Sequence, residues 1–168
     1  MKEKLLITLV GDDKPGLIEQ LSDVVRLNHG NWLESRLSHL GGQFSGLILA
    51  EFLSEDLEQA IEALSELTTQ GLSVSASPSQ IKPIPDLLNI QVVGNDKPGI
   101  INEISQALYR AHANVESLQT EVEPAPMSGG MLFKAHMQVS LPTKMTAADL
   151  QKELETVAND LMIDFTVD

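Results

Sequence analysis

The chain has no cysteine among its 168 residues and few aromatic residues, with four Phe, one Tyr and one Trp. The absence of cysteine excludes disulfide bonds, cysteine-ligated zinc and catalysis by a thiol. RNA-binding modules built on a small sheet stack bases on aromatic side chains of their central strands. No stretch of this sequence concentrates aromatic residues in that way, so the sequence argues against such a module.

Basic residues are also scarce, since 11 Lys and Arg stand against 24 Asp and Glu and give a formal net charge of −13. Affinity for nucleic acids comes largely from Lys and Arg contacts with phosphates, so we expect no direct binding to DNA or RNA. The same charge disfavours anionic membranes, and no apolar run approaches the roughly 20 residues of a membrane-spanning helix. The apolar run from Leu5 to Val10 is too short for the core of a signal peptide. We therefore expect a cytoplasmic protein.

The sequence contains an internal repeat. The segment from Leu9 to Asn31 aligns without gaps with the segment from Val92 to Asn114, which lies 83 residues further on. Ten of the 23 aligned pairs are identical, and several others exchange one aliphatic residue for another. Such a repeat indicates two copies of one supersecondary unit. We place domain 1 at residues 1–78, a proline-containing linker at 79–85 and domain 2 at 86–168.

Both copies show the same order of secondary structure. Aliphatic runs that lead into a Gly-Asx turn predict first strands at Leu5 to Val10 and Leu87 to Val93. Apolar residues at helical spacing then predict a helix, two extended runs around a Gly-Gly pair predict a hairpin, and a second helix and a strand follow. Thr146 and Asp149 are typical of a capping box before the last helix. The order β-α-β-β-α-β predicts an α+β protein of two ferredoxin-like domains, each a four-stranded antiparallel sheet with two helices on one face.

The turn between the first strand and the first helix carries the most informative residues. It reads GDDKPG at residues 11–16 and GNDKPG at residues 94–99. Asp13 and Asp96 are placed as N-caps of the helices, and the proline suits the first turn of a helix. One interpretation is a well-capped structural turn, and the other is an anion site made by exposed amides at the helix start. The recurrence of the pattern in both copies favours the second interpretation.

This turn, within a β-α-β-β-α-β unit, resembles that of the ACT domain, a regulatory module that typically binds amino acids. Asn31 and Asn114, which open the second strand of each copy, also match the pattern of that family. Two such units joined by a short linker, without an attached enzyme, resemble the glycine cleavage system transcriptional repressor group. The resemblance covers essentially the whole chain.

The resemblance implies where a ligand would bind. In ACT domains the ligand generally lies at an interface between two modules, close to the turn between the first strand and the first helix. Backbone amides around Gly16 and Gly99 would hold a ligand carboxylate, and an acidic or amide side chain of the turn would hold its ammonium group. The expected ligand-binding residues are Gly11, Asp12, Asp13, Pro15, Gly16, Leu17 and Asn31 in copy one, and Gly94, Asn95, Asp96, Pro98, Gly99, Ile100 and Asn114 in copy two.

The same resemblance implies a regulator that senses a small amino acid, with glycine as the first candidate, and controls transcription of glycine cleavage genes. It would act through a DNA-binding transcriptional activator, because the chain is too acidic to contact DNA itself. The sequence has no G-x-S-x-G, Walker A or G-x-G-x-x-G motif and no histidine spacing typical of a metal site. We therefore expect no enzyme activity, no cofactor and no metal.

Two alternatives stay open. The chain could be a regulatory subunit or adaptor that controls a metabolic enzyme, which co-purification with an enzyme would reveal. It could also be an interaction module without a ligand, pairing through the edges of its sheets. The sequence leaves the oligomeric state open, and a homodimer is one arrangement. His29 and His112 align at the ends of the first helices and are interpreted as structural, because a cation suits a helix C-terminus.

Overall fold

The structure is a computed structural model that describes residues 1–79, 87–126, 129–157 and 162–167. The chain divides into two compact units, Met1–Lys82 and Pro83–Asp168, here called unit 1 and unit 2. Most of the predicted linker at 79–85 lies outside the described residues, so the domain boundaries drawn from the sequence stay a prediction.

The described residues of each unit form four strands and two α-helices. The elements of unit 1 are β1 (Lys2–Asp12), α1 (Leu17–Leu27), β2 (Asn31–Leu40), β3 (Gln43–Leu53), α2 (Leu57–Glu66) and β4 (Leu72–Pro78), and a 3₁₀ turn (Leu67–Gln70) follows α2. The elements of unit 2 are β5 (Leu87–Asn95), α3 (Ile100–Arg110), β6 (Asn114–Pro124), β7 (Met131–Ser140), α4 (Ala147–Val157) and β8 (Met162–Val167). The predicted order β-α-β-β-α-β is confirmed in both units.

Each unit has one four-stranded sheet. The strand order is β2-β3-β1-β4 in unit 1 and β6-β7-β5-β8 in unit 2, and neighbouring strands are antiparallel. The first strand of each unit lies between the third and the fourth, with a helix connecting it to the second. This is the split βαβ arrangement, and the α+β class with two ferredoxin-like domains is confirmed.

One face of each sheet is buried beneath the two helices of its unit. In unit 1 the alternate residues Leu5, Ile7 and Leu9 of β1 are at most 4% exposed, and they share a cluster with Leu21 of α1 and Leu64 of α2. Residues of β5, β7, α3 and α4 form the corresponding cluster in unit 2. Burial of one large aliphatic side chain contributes about 1.5–3 kcal/mol, so these clusters are the main stabilising feature of each unit.

The starts of the first helices differ from the sequence prediction. The residue before α1 is Gly16, with φ of 92°, and no side chain caps the helix. Gly99 takes the same place before α3, with φ of 88°. Because the left-handed glycine turns the chain immediately before the helix, Asp13 and Asp96 lie three residues too early, and the prediction that they are N-caps is wrong. The prolines also precede the helices instead of lying in their first turns.

Other helix ends agree with the sequence. The Thr146 amide donates to the Asp149 carboxylate at 3.0 Å, and the Asp149 amide donates to the Thr146 hydroxyl at 3.2 Å, so the predicted capping box is confirmed. His29 and His112 follow the first helices with φ of 53° and 51°. In unit 1 the Gly30 amide then donates to the Val25 carbonyl at 2.8 Å, which is the hydrogen bond of a Schellman motif.

Candidate functional site

Gly11 is the last buried residue of β1, and it packs where the chain enters the turn between β1 and α1, here called the first turn. A Cβ atom at this position would lie 2.8 Å from the carbonyl oxygen of Gly71 and 3.0 Å from a methyl group of Leu72. Gly11 pairs directly with Leu72 in the sheet. The absence of a side chain therefore lets β4 approach β1 where the turn begins. Gly11 stays a predicted ligand contact, but it is buried against β4.

The two acidic residues of the first turn are held by the tip of the β2–β3 hairpin. The Gln43 amide donates to the Asp12 carboxylate at 2.7 Å, and the Asp13 backbone amide donates to the Gly42 carbonyl at 3.2 Å. The Asp13 carboxylate also lies 3.8 Å from Nε2 of His39, the last inward-facing residue of β2. The hairpin thus fixes the turn and adds an imidazole beside one of its carboxylates.

A cavity of about 250 Å³ opens at this turn. Its walls come from the turn, from the first residues of α1 and from β3, and they comprise Asp13, Lys14, Gly16, Leu17, Ile18, Glu19 and Phe44. Pockets for drug-sized ligands usually span about 300–1,000 Å³, so this one suits a smaller molecule. Its walls combine a cation, two carboxylates and apolar side chains, so they carry groups that can pair with both charges of a small zwitterion.

The backbone at the start of α1 adds hydrogen-bond donors to this cavity wall. The first intrahelical bond runs from the Gln20 amide to the Gly16 carbonyl at 2.9 Å. Earlier amides of a helix have no partner within it, and within the described residues no side chain caps α1 at Gly16. The helix dipole places partial positive charge at the same point. A carboxylate is therefore the favoured guest at this end of the cavity.

The turn between β5 and α3, here called the second turn, has a backbone conformation similar to that of the first turn, but its side chains have different partners. The Asp96 amide donates to the Met131 carbonyl at 2.9 Å, as Asp13 donates to the hairpin in unit 1. Lys97 Nζ lies 3.0 Å from Glu103 Oε2, whereas the position equivalent to Glu103 in unit 1 is Gln20. Lys14, the counterpart of Lys97, has no ion pair within the described ranges. The lysine of the second turn is thus neutralised by its own unit.

The structure does not bring Asn31 to the turn of its own unit. Asn31 pairs with Glu51, which pairs with Lys4 at the start of β1, while the turn follows Asp12 at the end of that strand. A separation of eight residues along a strand is about 27 Å. Asn114 occupies the equivalent position in unit 2, and its side-chain amide donates to Glu116 at 2.7 Å. The two asparagines stay predicted ligand contacts, but they are remote from the turn within each unit.

Sequence reasoning missed three residues that the fold brings to the first turn. Lys14 lies inside the motif itself, whereas His39 and Phe44 lie on either side of the Gly41-Gly42 hairpin turn. The antiparallel register is the signal that identifies His39 and Phe44, because Phe44 pairs with His39 on one side and with Gly11 on the other. A hairpin with that register must return its tip to the end of β1.

Other kinds of site are not apparent in the described part of the chain. No group of three or more His, Asp or Glu side chains there is arranged to hold a metal ion. No helix in the same ranges combines the length and hydropathy that a bilayer-spanning segment needs.

Comparison with known proteins places this architecture in one family. Residues 3–77 and 86–168 match the family model of the ACT domain. The chain is 24% identical over 163 residues to the glycine cleavage system transcriptional repressor of Escherichia coli (strain K12), and the match covers 94% of this chain and 85% of the relative. The repressor of Shigella flexneri matches with the same figures.

Among solved structures, the crystal structure of an unknown protein from Galdieria sulphuraria is similar to this chain, with a TM-score of 0.83 at 24% identity, covering 100% of this chain and 99% of that one. This likeness shows a shared fold. Because the family model matches nearly the full sequence in two successive segments, the chain belongs to the ACT domain family and carries two tandem copies of that domain.

Proposed function

We propose that this protein is an amino-acid-sensing regulator of transcription that acts in the cytoplasm on glycine cleavage genes. Its relatives in two bacteria are repressors of that system, which supports the regulatory role. The net charge of −13 supports action through a DNA-binding activator protein and not through direct contact with DNA. The proposal assigns the chain no catalytic step, and it includes assembly as a homodimer.

The observation that carries the ligand proposal is the cavity at the first turn. The ligand carboxylate would accept hydrogen bonds from the uncapped amides at the start of α1 and would pair with Lys14. The ligand ammonium group would pair with Asp13 or Glu19, which line the same cavity. A small cavity whose wall carries both a cation and carboxylates favours a zwitterion over a simple anion.

We propose further that the first turn binds more tightly than the second. Lys97 already pairs with Glu103, so a carboxylate at the second turn would have to displace that carboxylate or bind without the lysine. The His39 position beside the first turn corresponds to Val122 in unit 2, since both residues pair with the phenylalanine that faces the turn. Unit 2 therefore offers fewer polar groups to a ligand.

The test is calorimetric titration of the full chain with glycine and a panel of other amino acids. We expect one class of site, lost in Lys14→Ala and kept in the matched variant Lys97→Ala. A saturating ligand at 100 times its Kd adds about 2.7 kcal/mol to the free energy of unfolding, so a thermal-shift assay provides an independent readout. If no amino acid binds the wild-type chain, the sensor proposal fails. If Lys97→Ala alone abolishes binding, the assignment to the first turn fails.

A second experiment addresses the partner. The purified chain is mixed with the activator of the glycine cleavage genes and with the enzymes of that system, and complex formation is measured with and without the amino acid found by titration. We expect a complex with the activator whose affinity changes with the ligand, because a ligand shifts an equilibrium only by its differential affinity for two states. A complex with an enzyme and none with the activator would replace transcriptional control by control of that enzyme.

A further inference from the structure

A two-layer unit leaves one face of its sheet without helices, and in unit 1 that uncovered face is apolar at its centre. Leu6 of β1 pairs with Leu49 of β3, and Leu47 lies two residues along β3 on the same side. Val10 lies on the same side of β1, with Thr8 between it and Leu6. Val10 is 46% exposed and Leu47 is 42% exposed, whereas Leu6 and Leu49 are half-buried. These four residues, Leu6, Val10, Leu47 and Leu49, are here called the unit 1 outer patch.

Three of the four equivalent positions of unit 2 are polar, and the fourth is Val93, which corresponds to Val10. Asn89 replaces Leu6, and Gln138 replaces Leu49 in the same cross-strand pair. The Gln138 side chain donates to Asn89 at 3.1 Å and accepts from the Ser117 hydroxyl at 3.2 Å, so hydrogen bonds link these polar side chains across three strands. His136 replaces Leu47. Since the same fold carries polar residues at three of these positions, the fold does not require aliphatic residues there, and neighbouring apolar residues at a surface mark an interaction site.

The charges around the patch indicate what covers it. The outward-facing positions of the unit 1 strands carry three cations and three anions, namely Lys2, Lys4, Arg36, Asp12, Glu34 and Glu51. Two of the pairs are already joined, Lys2 to Glu51 and Arg36 to Glu34, each at 2.8 Å. This face is therefore neutral in a chain whose net charge is −13.

A neutral face of mixed sign suits a second copy of this chain. Two chains that each carry a charge of −13 repel each other, and the repulsion is least where their local charge is balanced. An isologous contact also requires one surface to complement itself, which equal numbers of cations and anions allow. A strongly basic partner would instead be drawn to acidic surface elsewhere on the chain.

The dimensions of the face are adequate for a weak dimer. Four strands about 4.8 Å apart and about ten residues long at about 3.4 Å per residue cover roughly 650 Å². Stable interfaces bury about 800 Å² per partner, so the contact falls near the lower end of that class. Sheets that pack face to face interdigitate their side chains at a spacing of about 10 Å, and the aliphatic residues of the patch suit that packing.

We propose that the unit 1 outer patch is the dimer interface, with the same face of a second copy packed against it across a twofold axis. This inference names the surface for the homodimer proposed above, and it rests on that assembly and not on amino-acid binding.

The test is the mass of the full chain by light scattering and sedimentation velocity, from about 1 to about 100 µM, the range in which a weak dimer dissociates. We expect the wild type to approach twice the 18.3 kDa of one chain at the upper concentration. Leu47→Asp should raise the dimer Kd by at least about tenfold, because it buries an unpaired carboxylate in the contact. The matched variant His136→Asp makes the same addition of charge on unit 2 and should leave the Kd unchanged.

Three results would overturn the proposal: a wild type that is monomeric throughout, a Leu47→Asp variant that dimerises normally, or a dimer that His136→Asp weakens equally. Circular dichroism establishes that each variant is folded, and Leu47→Gln replaces Leu47→Asp if the latter unfolds. Amino-acid titration of Leu47→Asp separates the two proposals, since the first turn is intact in that variant. Binding without dimerisation in Leu47→Asp supports both proposals, whereas a wild-type dimer that binds no amino acid leaves only the interface standing.

Discussion

The two glycines of the first turn are required for different physical reasons, and substitutions distinguish them. Gly11 has no room for a side chain, because its Cβ would lie 2.8 Å from the Gly71 carbonyl oxygen, which is backbone and cannot rotate away. Gly16 has room, since its Cβ would meet only a carboxylate oxygen of Glu19 at 3.9 Å, but its φ is 92°. Gly11 is thus limited by space and Gly16 by conformation.

The expected losses follow from these two causes. Gly11→Ala forces β4 away from β1, and overpacking of this kind costs about 1–3 kcal/mol. Gly16→Ala places an L-residue in the left-handed region, which costs about 1–2 kcal/mol. Compared with alanine, asparagine should be the more costly substitution at position 11 and the less costly one at position 16. Gly11→Asn should cost more than Gly11→Ala because it is larger, whereas Gly16→Asn should cost less than Gly16→Ala because asparagine tolerates a positive φ.

The assay uses Trp32, the single tryptophan of the chain. Trp32 packs against the core of unit 1, so its fluorescence follows the urea unfolding of that unit. For a slope of about 1–3 kcal/mol per molar urea, a loss of about 2 kcal/mol lowers the midpoint by roughly 1 M. The reasoning is refuted if Gly11→Asn is as stable as Gly11→Ala, or if Gly11→Ala equals the wild type.

Three further predictions concern stability. His29→Gly should raise the free energy of unfolding of unit 1 by up to about 1 kcal/mol. Glycine relieves the strain of the positive φ, but its greater conformational freedom in the unfolded chain offsets part of that gain. A lower urea midpoint would contradict this. Phe52→Ala should cost about 3–5 kcal/mol, since Phe52 is 1% exposed, and a loss below about 1 kcal/mol would contradict its place in the core. Thr146→Ala should cost about 1 kcal/mol by removing the cap of α4. The Thr146 hydrogen bonds hold the pKa of Asp149 below its ordinary value. Their contribution to the stability of unit 2 is therefore fully present when the pH is above the usual aspartate pKa. It is lost as the pH falls through the lowered pKa of Asp149. The Thr146→Ala variant should therefore lose less stability than the wild type on acidification, as measured by circular dichroism.

The fold could be predicted from the sequence because two different periodicities alternate along it. Leu5, Ile7 and Leu9 repeat every second residue, as a strand with one buried face requires, whereas Leu21 and Val25 are four residues apart, as on one side of a helix. The internal repeat supplied the same pattern twice. Local patterns of this kind depend on near neighbours in the chain, and they were sufficient for the order of the elements.

The sequence predicts where the site lies, but it does not predict which side chains the fold brings to it. The turn motif was identified, but the N-cap assignment of Asp13 failed because the sequence does not show that Gly16 takes a left-handed conformation. His39 reaches the turn only through the register of the β2–β3 hairpin, which is a property of pairing between strands and not of local pattern. The same register places Asn31 at the far end of the sheet, so a residue that shares the motif's pattern need not share its location.

The two copies share the residues that form their turns and cores. They differ at positions on the surface. The hexapeptide turns are nearly identical, yet Lys97 pairs with Glu103 while Lys14 has no such partner among the described residues. The cores are alike in position, yet Leu49 on one outer face corresponds to Gln138 on the other. Both differences place the proposed contacts with other molecules in unit 1. In unit 2 Lys97 pairs with Glu103, and Gln138 pairs with Asn89. The paired variants at Lys14 and Lys97 and at Leu47 and His136 test this division of roles at two surfaces.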